Sequence, residues 1–441
     1  MPSLSTVRRE LPPLLFCLVA SCYLAAIGLV DFAFSDYDIE ALPSATAIAE
    51  GRWGDFYDAA PLYGGSLLLR APFARVTALL GGGELAVFRA FAVPAILAAA
   101  ALGMVLFHRL RARSPLGAWV ALALCIVHPL FFAALQFGHA EELLGGVLCA
   151  AAVGAAISGR TWLAGALLGA ALANKAWAVF AVVPVLSVLP THGDRLRAGA
   201  IAGVIAAAVM VPLVLAAGRV TEGTRLATSS GTLFHPWQLF WFLGEPGNPT
   251  PGAPEGARIA PPLIAKLTHP LVALGGLGVG AVWALARSRI DGARASDAAL
   301  ALALAFLTRC LLDTWSINYY FVPFVIVLLT WECGLRRRPP VLSGIVALAT
   351  AASFNALRGT HVDLEGVVFL AWAVPLWFLL CARLFAPRRV STALRGVHVT
   401  LAASMPSLLA APAAERRGPT EWPDGLPTPG SSRPPSQISP V

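Results

Sequence analysis

The sequence predicts an all-α polytopic membrane protein, a bundle of about 12 transmembrane helices (10–12), and three observations carry that reading. Of its 441 residues 57% are hydrophobic and only 13% charged, with a mean hydropathy of +0.72, too apolar for a soluble chain of several domains. Apolar runs long enough to cross a bilayer recur along most of its length. With the N-terminus placed inside, the arginine-rich connectors between these runs fall on one face.

The first run, 13–31, follows Arg8 and Arg9 and has the length of a span, about 18 residues, so it reads as a retained signal anchor and not a cleaved leader. An external loop over 32–85 comes next. Its AIAEGRW and LLLRAPFARVTALL stretches suit short amphipathic helices lying along the interface. Spans are expected at 86–107, 117–135 and 140–157. A tight pair, 162–174 and 176–190, then flanks Asn174-Lys175; each piece has about 13 to 15 residues where roughly 20 would span upright, which predicts a broken or re-entrant arrangement. After 196–217, a second external loop over 218–265 is rich in Gly, Pro, Thr and Trp, and its Trp237, Trp241 and Phe242 suit headgroup level. Further spans are expected at 266–287, 296–312, 319–334, 340–357 and 366–385. Residues 1–389 thus form the transmembrane domain, and the Pro- and Ser-rich end over 390–441 reads as a disordered cytoplasmic tail.

Sidedness explains the charge. The net +8 comes from short clusters such as HRLRARS (108–114), GDRLR (193–197), RSRIDGAR (287–294) and RRR (336–338), a positive-inside pattern and not a nucleic-acid surface. The acidic residues gather on the opposite, external face, which marks it as a working surface. The seven cysteines lie in or beside apolar runs without metal-ligand spacing, so neither a disulfide framework nor a zinc site is implied. Lysine appears only at Lys175 and Lys266 against thirty arginines, a coding bias that points to a bacterium with a GC-rich genome. The expected location is a bacterial plasma membrane, with both termini cytoplasmic.

Asp36 and Asp38 open the loop SDYDIEALPSATAIAEGRWGDFYDAAPLYGG, just outside the first span. Small residues at Ala41, Ala45 and Ala49 share one helical face, and Gly51 follows. This order resembles the first external loop of the GT-C superfamily of membrane glycosyltransferases, in which an aspartate precedes a short helix and a glycine. LQFGHAEELLGGVLCAAAVGAAISGRTWLAGALLGAALANKAWAVFAVVPVL looks like the recurring polar turn, helix, Gly-Arg turn and Lys-ended helix of its family 87 mannosyltransferases. RCLLDTWSINYYFVPFVIVLL, with Asp313, Trp315, Asn318 and Tyr319, is similar to a late external motif of related bacterial proteins. Together these cover roughly residues 13–385, and their order carries more weight than any one motif.

The resemblance implies a GT-C-like bundle and an inverting transferase. A hexose, with mannose as first candidate, would pass from a polyprenyl-phosphate donor to a lipid or glycan acceptor on the external face. Asp36 matches the catalytic base best, with Asp38 as alternative because the chain has Asp-Tyr-Asp. The residues support such chemistry in their own right, since a carboxylate can take the acceptor's proton as the anomeric carbon gains oxocarbenium character. Lys175, Arg225 and His235, with His139 beside them, are candidates to hold the donor phosphate. His139, Glu141, Glu142 and Asp313 are candidates for the acceptor site. Each has a plainer reading: Asp36, Asp38 and Asp313 as caps, Lys175 as a snorkelling cation, His235 and Trp237 as interface anchors. No cofactor is expected and a divalent metal is not indicated, because an external polar turn needs polar residues such as His139, Glu141 and Glu142 in any case. A transporter or flippase of lipid-linked saccharides is the rival reading, and a non-catalytic envelope scaffold a third.

Overall fold

The computed structural model describes residues 4–32, 35–216, 233–247, 258–357 and 361–389, and residues up to Arg388 form one compact unit. Arg225 and the tail expected from 390 lie outside the described residues. The described chain is helical apart from three two-residue strands.

Eight helices are long and apolar enough to cross a membrane, so this is a multi-pass membrane protein. In chain order the helices are α1 (Leu4–Gly28), α2 (Leu42–Glu50), α3 (Trp53–Ala59), α4 (Gly64–Leu79), α5 (Glu84–Leu110), α6 (Pro115–Ile126), α7 (Pro129–Gln136), α8 (Ala140–Ile157), α9 (Thr161–Asn174), α10 (Val182–Ser187) and α11 (His192–Leu215). They continue with α12 (Pro262–Ala286), α13 (Asp297–Leu312), α14 (Val322–Leu329), α15 (Val341–Ala351) and α16 (Val362–Phe385). Four segments expected as spans form shorter helices: α9, Ala176–Ser187, α13 and Val341–Ala356. At ~1.5 Å per residue a helix of α9's size reaches only ~21 Å, short of the ~30 Å hydrocarbon core. The pair around Lys175 is interrupted, as a 3-10 turn over Ala176–Ala181 separates α9 from α10.

Burial sorts the bundle into shells. The composite helix Asn318–Leu335 is 89% buried and α8 72%, whereas α11 is 17% buried and α12 22%, so the first pair forms the interior and the second faces outward. α13 is buried along nearly its whole length and packs on α12, α14 and α16. α9 packs along α11 through Gly165 and Gly169, where a built Cβ would meet Ala198 and Ala202 backbone at 2.7 to 3.0 Å. Two glycines four apart thus let the helix backbones touch, as small residues do between membrane helices.

The first long loop holds α2, α3 and α4. α4 is not simply a surface helix: Arg70 on it is 2% exposed and points into the bundle. In the second long loop, β1 (Leu233–Phe234), β2 (Glu245–Pro246) and β3 (Arg258–Ile259) make an antiparallel sheet of order β1-β3-β2. That loop also departs from the expected headgroup belt. Trp241 is fully buried and donates Nε1–H to Asp363 at 2.9 Å, Trp237 is buried as well, and only Phe242 remains exposed. Arg258 stacks 5.0 Å over Trp241 and pairs with Asp363, so aromatic and ionic contacts fasten the loop to the start of α16.

Candidate functional site

The site begins at the end of α1, where the chain turns through Ser35 into a π-helical segment, Tyr37–Ala41. Gly138, at φ 84°, closes α7 in the left-handed region and brings Tyr37 so close that a Cβ there would meet the Tyr37 Cβ at 2.4 Å. That close approach sets His139, the residue before α8, against Asp36.

Asp36 Oδ2 accepts from His139 Nε2 at 2.8 Å and from the Tyr319 hydroxyl at 2.8 Å. His139 Nδ1 lies 2.6 Å from Glu141 Oε1. Both ring nitrogens therefore face carboxylate oxygens, and only the imidazolium can donate to both. Burial opposes that charge, but Glu141 and Asp36 overcome it and lift the His139 pKa to about 9. Burial would also raise Asp36; the His139 hydrogen bond and charge, Tyr319 and Lys175 outweigh it and hold the carboxyl below its usual value. The same ring has no lone pair left for a metal ion.

From His139 the charges alternate inward. Lys175 Nζ donates to Glu141 Oε1 at 2.9 Å, lies 3.6 Å from Glu142 Oε1, and sits 4.5 Å from the centre of the Tyr63 ring. Arg70 reaches Glu141 Oε2 at 3.4 Å, and Arg309 lies 3.6 Å from Glu142 Oε2. Trp177 donates to Glu142 at 3.1 Å. Asn174 ties this centre to the helices: its amide donates to the Glu141 carbonyl at 2.8 Å and its oxygen accepts from Ser66 of α4 at 2.8 Å. Gly145 makes room, since a Cβ there would come 2.7 Å from both Asn174 and Trp177.

The Asp36 side chain is 39% exposed, against 6% for His139, 18% for Lys175 and none for Glu141 and Glu142. It is the most exposed member of this ion-pair network. Oδ2 carries both bonds, which leaves Oδ1 as the oxygen presented outward. Glu40, one helical turn away, is pushed up by burial and by the Asp36 charge.

Of the residues singled out from the sequence, Asp36, His139, Glu141, Glu142 and Lys175 come together. Asp38 turns back to accept from the Ser35 backbone N–H at 2.8 Å. Asp313 accepts from the Trp315 N–H at 3.0 Å, closing its own turn. His235 stacks parallel to Trp237 with ring centres 6.4 Å apart; burial pulls its pKa to about 4 against the attraction of Asp36, so it is neutral at pH 7 and offers a phosphate no charge. Lys175 is already engaged by two carboxylates. Arg70 and Arg309 were not singled out from the sequence, and Tyr319 only as part of a motif. The signal for all three was present: adjacent buried glutamates require cations, and a buried carboxylate requires donors.

The Asp36–His139–Glu141 triplet gives stability a measurable pH profile. His139 is raised in the folded state, so its contribution is full below about pH 6.5, the unfolded value, and is lost as pH rises through about 9. Asp36 is lowered, so its contribution is full above its unfolded pKa and is lost as the medium turns acid through the folded one. The thermal midpoint in detergent is expected to fall between pH 7 and 9.5, and His139→Gln to flatten that limb. An unchanged alkaline limb in the variant would contradict the imidazolium.

Comparison with protein-family models, curated proteins and solved structures finds no match for this chain.

Proposed function

We propose that this protein is an inverting membrane glycosyltransferase of GT-C type that moves a hexose, mannose as first candidate, from a polyprenyl-phosphate donor to a lipid or glycan acceptor. The observation that carries the reading is Asp36: a carboxylate just after the first membrane helix, one oxygen fixed by His139 and Tyr319, with its side chain 39% exposed. In the reaction Asp36 Oδ1 takes the proton of the acceptor hydroxyl as the hydroxyl oxygen bonds to the anomeric carbon. The bond from that carbon to the phosphate oxygen breaks, and polyprenyl phosphate leaves with the electron pair. In this reading the chain crosses a bacterial plasma membrane about twelve times, both termini are cytoplasmic, and Asp36 faces outward.

The test is transfer of radiolabelled mannose to endogenous lipids in membranes holding the full chain. One arm supplies polyprenyl-phosphomannose and another GDP-mannose with carrier synthesis blocked. Label moving only in the first arm supports the reading; label moving from the nucleotide sugar alone discards the lipid donor. A second reading, a transporter or flippase of lipid-linked saccharides, is favoured by one observation, the buried run Glu141, Lys175, Glu142, Arg309 leading into the bundle. Flipping of a labelled lipid-linked sugar in proteoliposomes without any transfer would select it.

A further inference from the structure

At one end of the bundle the connectors before α13, after the Asn318–Leu335 helix and at the end of α16 converge. Arg336 points inward with its side chain 9% exposed, and its guanidinium meets Asp297 at 3.1 Å. Asp297 is also the acceptor for the Arg294 backbone N–H at 2.9 Å. Arg294, Arg338 and Arg383 all stand near enough to Arg336 to repel it. Three guanidinium groups thus gather around Arg336, and among the described residues only Arg336 pairs with Asp297. Glu332, the neighbouring acid, is occupied with the start of α15, accepting from the Leu342 N–H at 2.9 Å and from Ser343 N–H and hydroxyl at 2.9 and 2.7 Å.

Orientation by positive charge requires only exposed arginines on the right side, and it does not explain a buried one. Arg336 Nε is sealed from solvent and has no hydrogen-bond partner among the described residues. Arg337 beside it has φ 52°, the only non-glycine with positive φ among the described residues, at a helix end where glycine is the easier choice. Apolar side chains stay exposed on the helices that run into the cluster: Val282 and Leu285 on α12 and Phe378 on α16. The combination is an unsatisfied cationic cluster with acyl-compatible walls beside it.

We propose that Arg294, Arg336, Arg338 and Arg383 bind the phosphodiester headgroup of an anionic membrane phospholipid, whose chains lie along α12 and α16. Guanidinium forks match phosphate oxygens bidentately, and a headgroup there would offset the mutual repulsion of the four arginines. This site is independent of the Asp36 centre and of the transferase reading.

The test titrates the full-length protein in neutral detergent with phosphatidylglycerol, phosphatidylcholine or glycerol 3-phosphate, and reads retained lipid by native mass spectrometry. Phosphatidylglycerol is expected to be retained over phosphatidylcholine, and glycerol 3-phosphate not to displace it. Arg338→Gln and Arg383→Gln, which leave the Arg336–Asp297 pair intact, are each expected to weaken retention roughly fivefold. Arg160→Gln, at a different basic connector, is expected to leave it unchanged. Equal retention of the two lipids, equal weakening by Arg160→Gln, or displacement by glycerol 3-phosphate would each overturn the proposal.

Discussion

Asp36→Asn is expected to reduce sugar transfer by roughly 10²- to 10⁴-fold while the protein inserts and folds normally, the range a positioned general base contributes. The amide has the shape of the carboxylate, and its carbonyl can still accept from His139 Nε2 and Tyr319, which now hold Oδ2 at 2.8 Å each. What is lost is the basic oxygen facing outward. Asp38→Asn serves as the comparison, because that carboxylate is turned back on the Ser35 N–H and the change affects only a local cap. Transfer that survives Asp36→Asn but is lost in Asp38→Asn would exchange their roles. Tyr319→Phe and His139→Gln separate positioning from chemistry: each removes one of the two donors, so each should lower turnover less than Asp36→Asn and shift its pH profile.

The helical membrane character was legible because it rests on composition and run length, quantities that tertiary contacts do not alter. The number of crossings was less so. α13 and α9 have the apolarity of spans but 16 and 14 residues, and a run of apolar letters does not reveal where its helix stops. The second loop misled differently. Tryptophan in a loop between spans is at home at headgroup level, but Trp241 found Asp363 and Arg258, partners more than a dozen positions away that no local pattern announces. At the candidate site the acids, His139 and Lys175 were readable and the two arginines were not. Asp36, Glu141 and Glu142 stand out as charges beside apolar runs, whereas Arg70 sits in a stretch whose spacing equally suits an interfacial helix, and only its burial against Glu141 shows which way it faces. Periodicity assigns a residue to a face; which neighbour covers that face is settled by packing.

The largest stability effect is expected at Glu141, and it follows from counting what this carboxylate holds. Arg70, His139 and Lys175 all direct charge at it, and it is completely buried. Glu141→Gln keeps the volume and one acceptor but strands Arg70, whose one carboxylate partner among the described residues is Glu141, and stranding a buried ion costs about 3–5 kcal/mol. Lys175 retains Glu142 and His139 retains Asp36, and His139 can shed its proton, so the loss belongs near the lower end of that range. Removing the stranded cation as well should then restore stability: Glu141→Gln with Arg70→Met is expected to be more stable than the sum of the two single changes by about 1–3 kcal/mol, the coupling of residues in one network. Denaturation midpoints of the four proteins in one detergent, at one pH near 7, measure that coupling. Strict additivity, or a Glu141→Gln variant as stable as the parent, would mean that water and not Glu141 holds these charges, and the inward chain from Asp36 to Arg309 would lose its keystone.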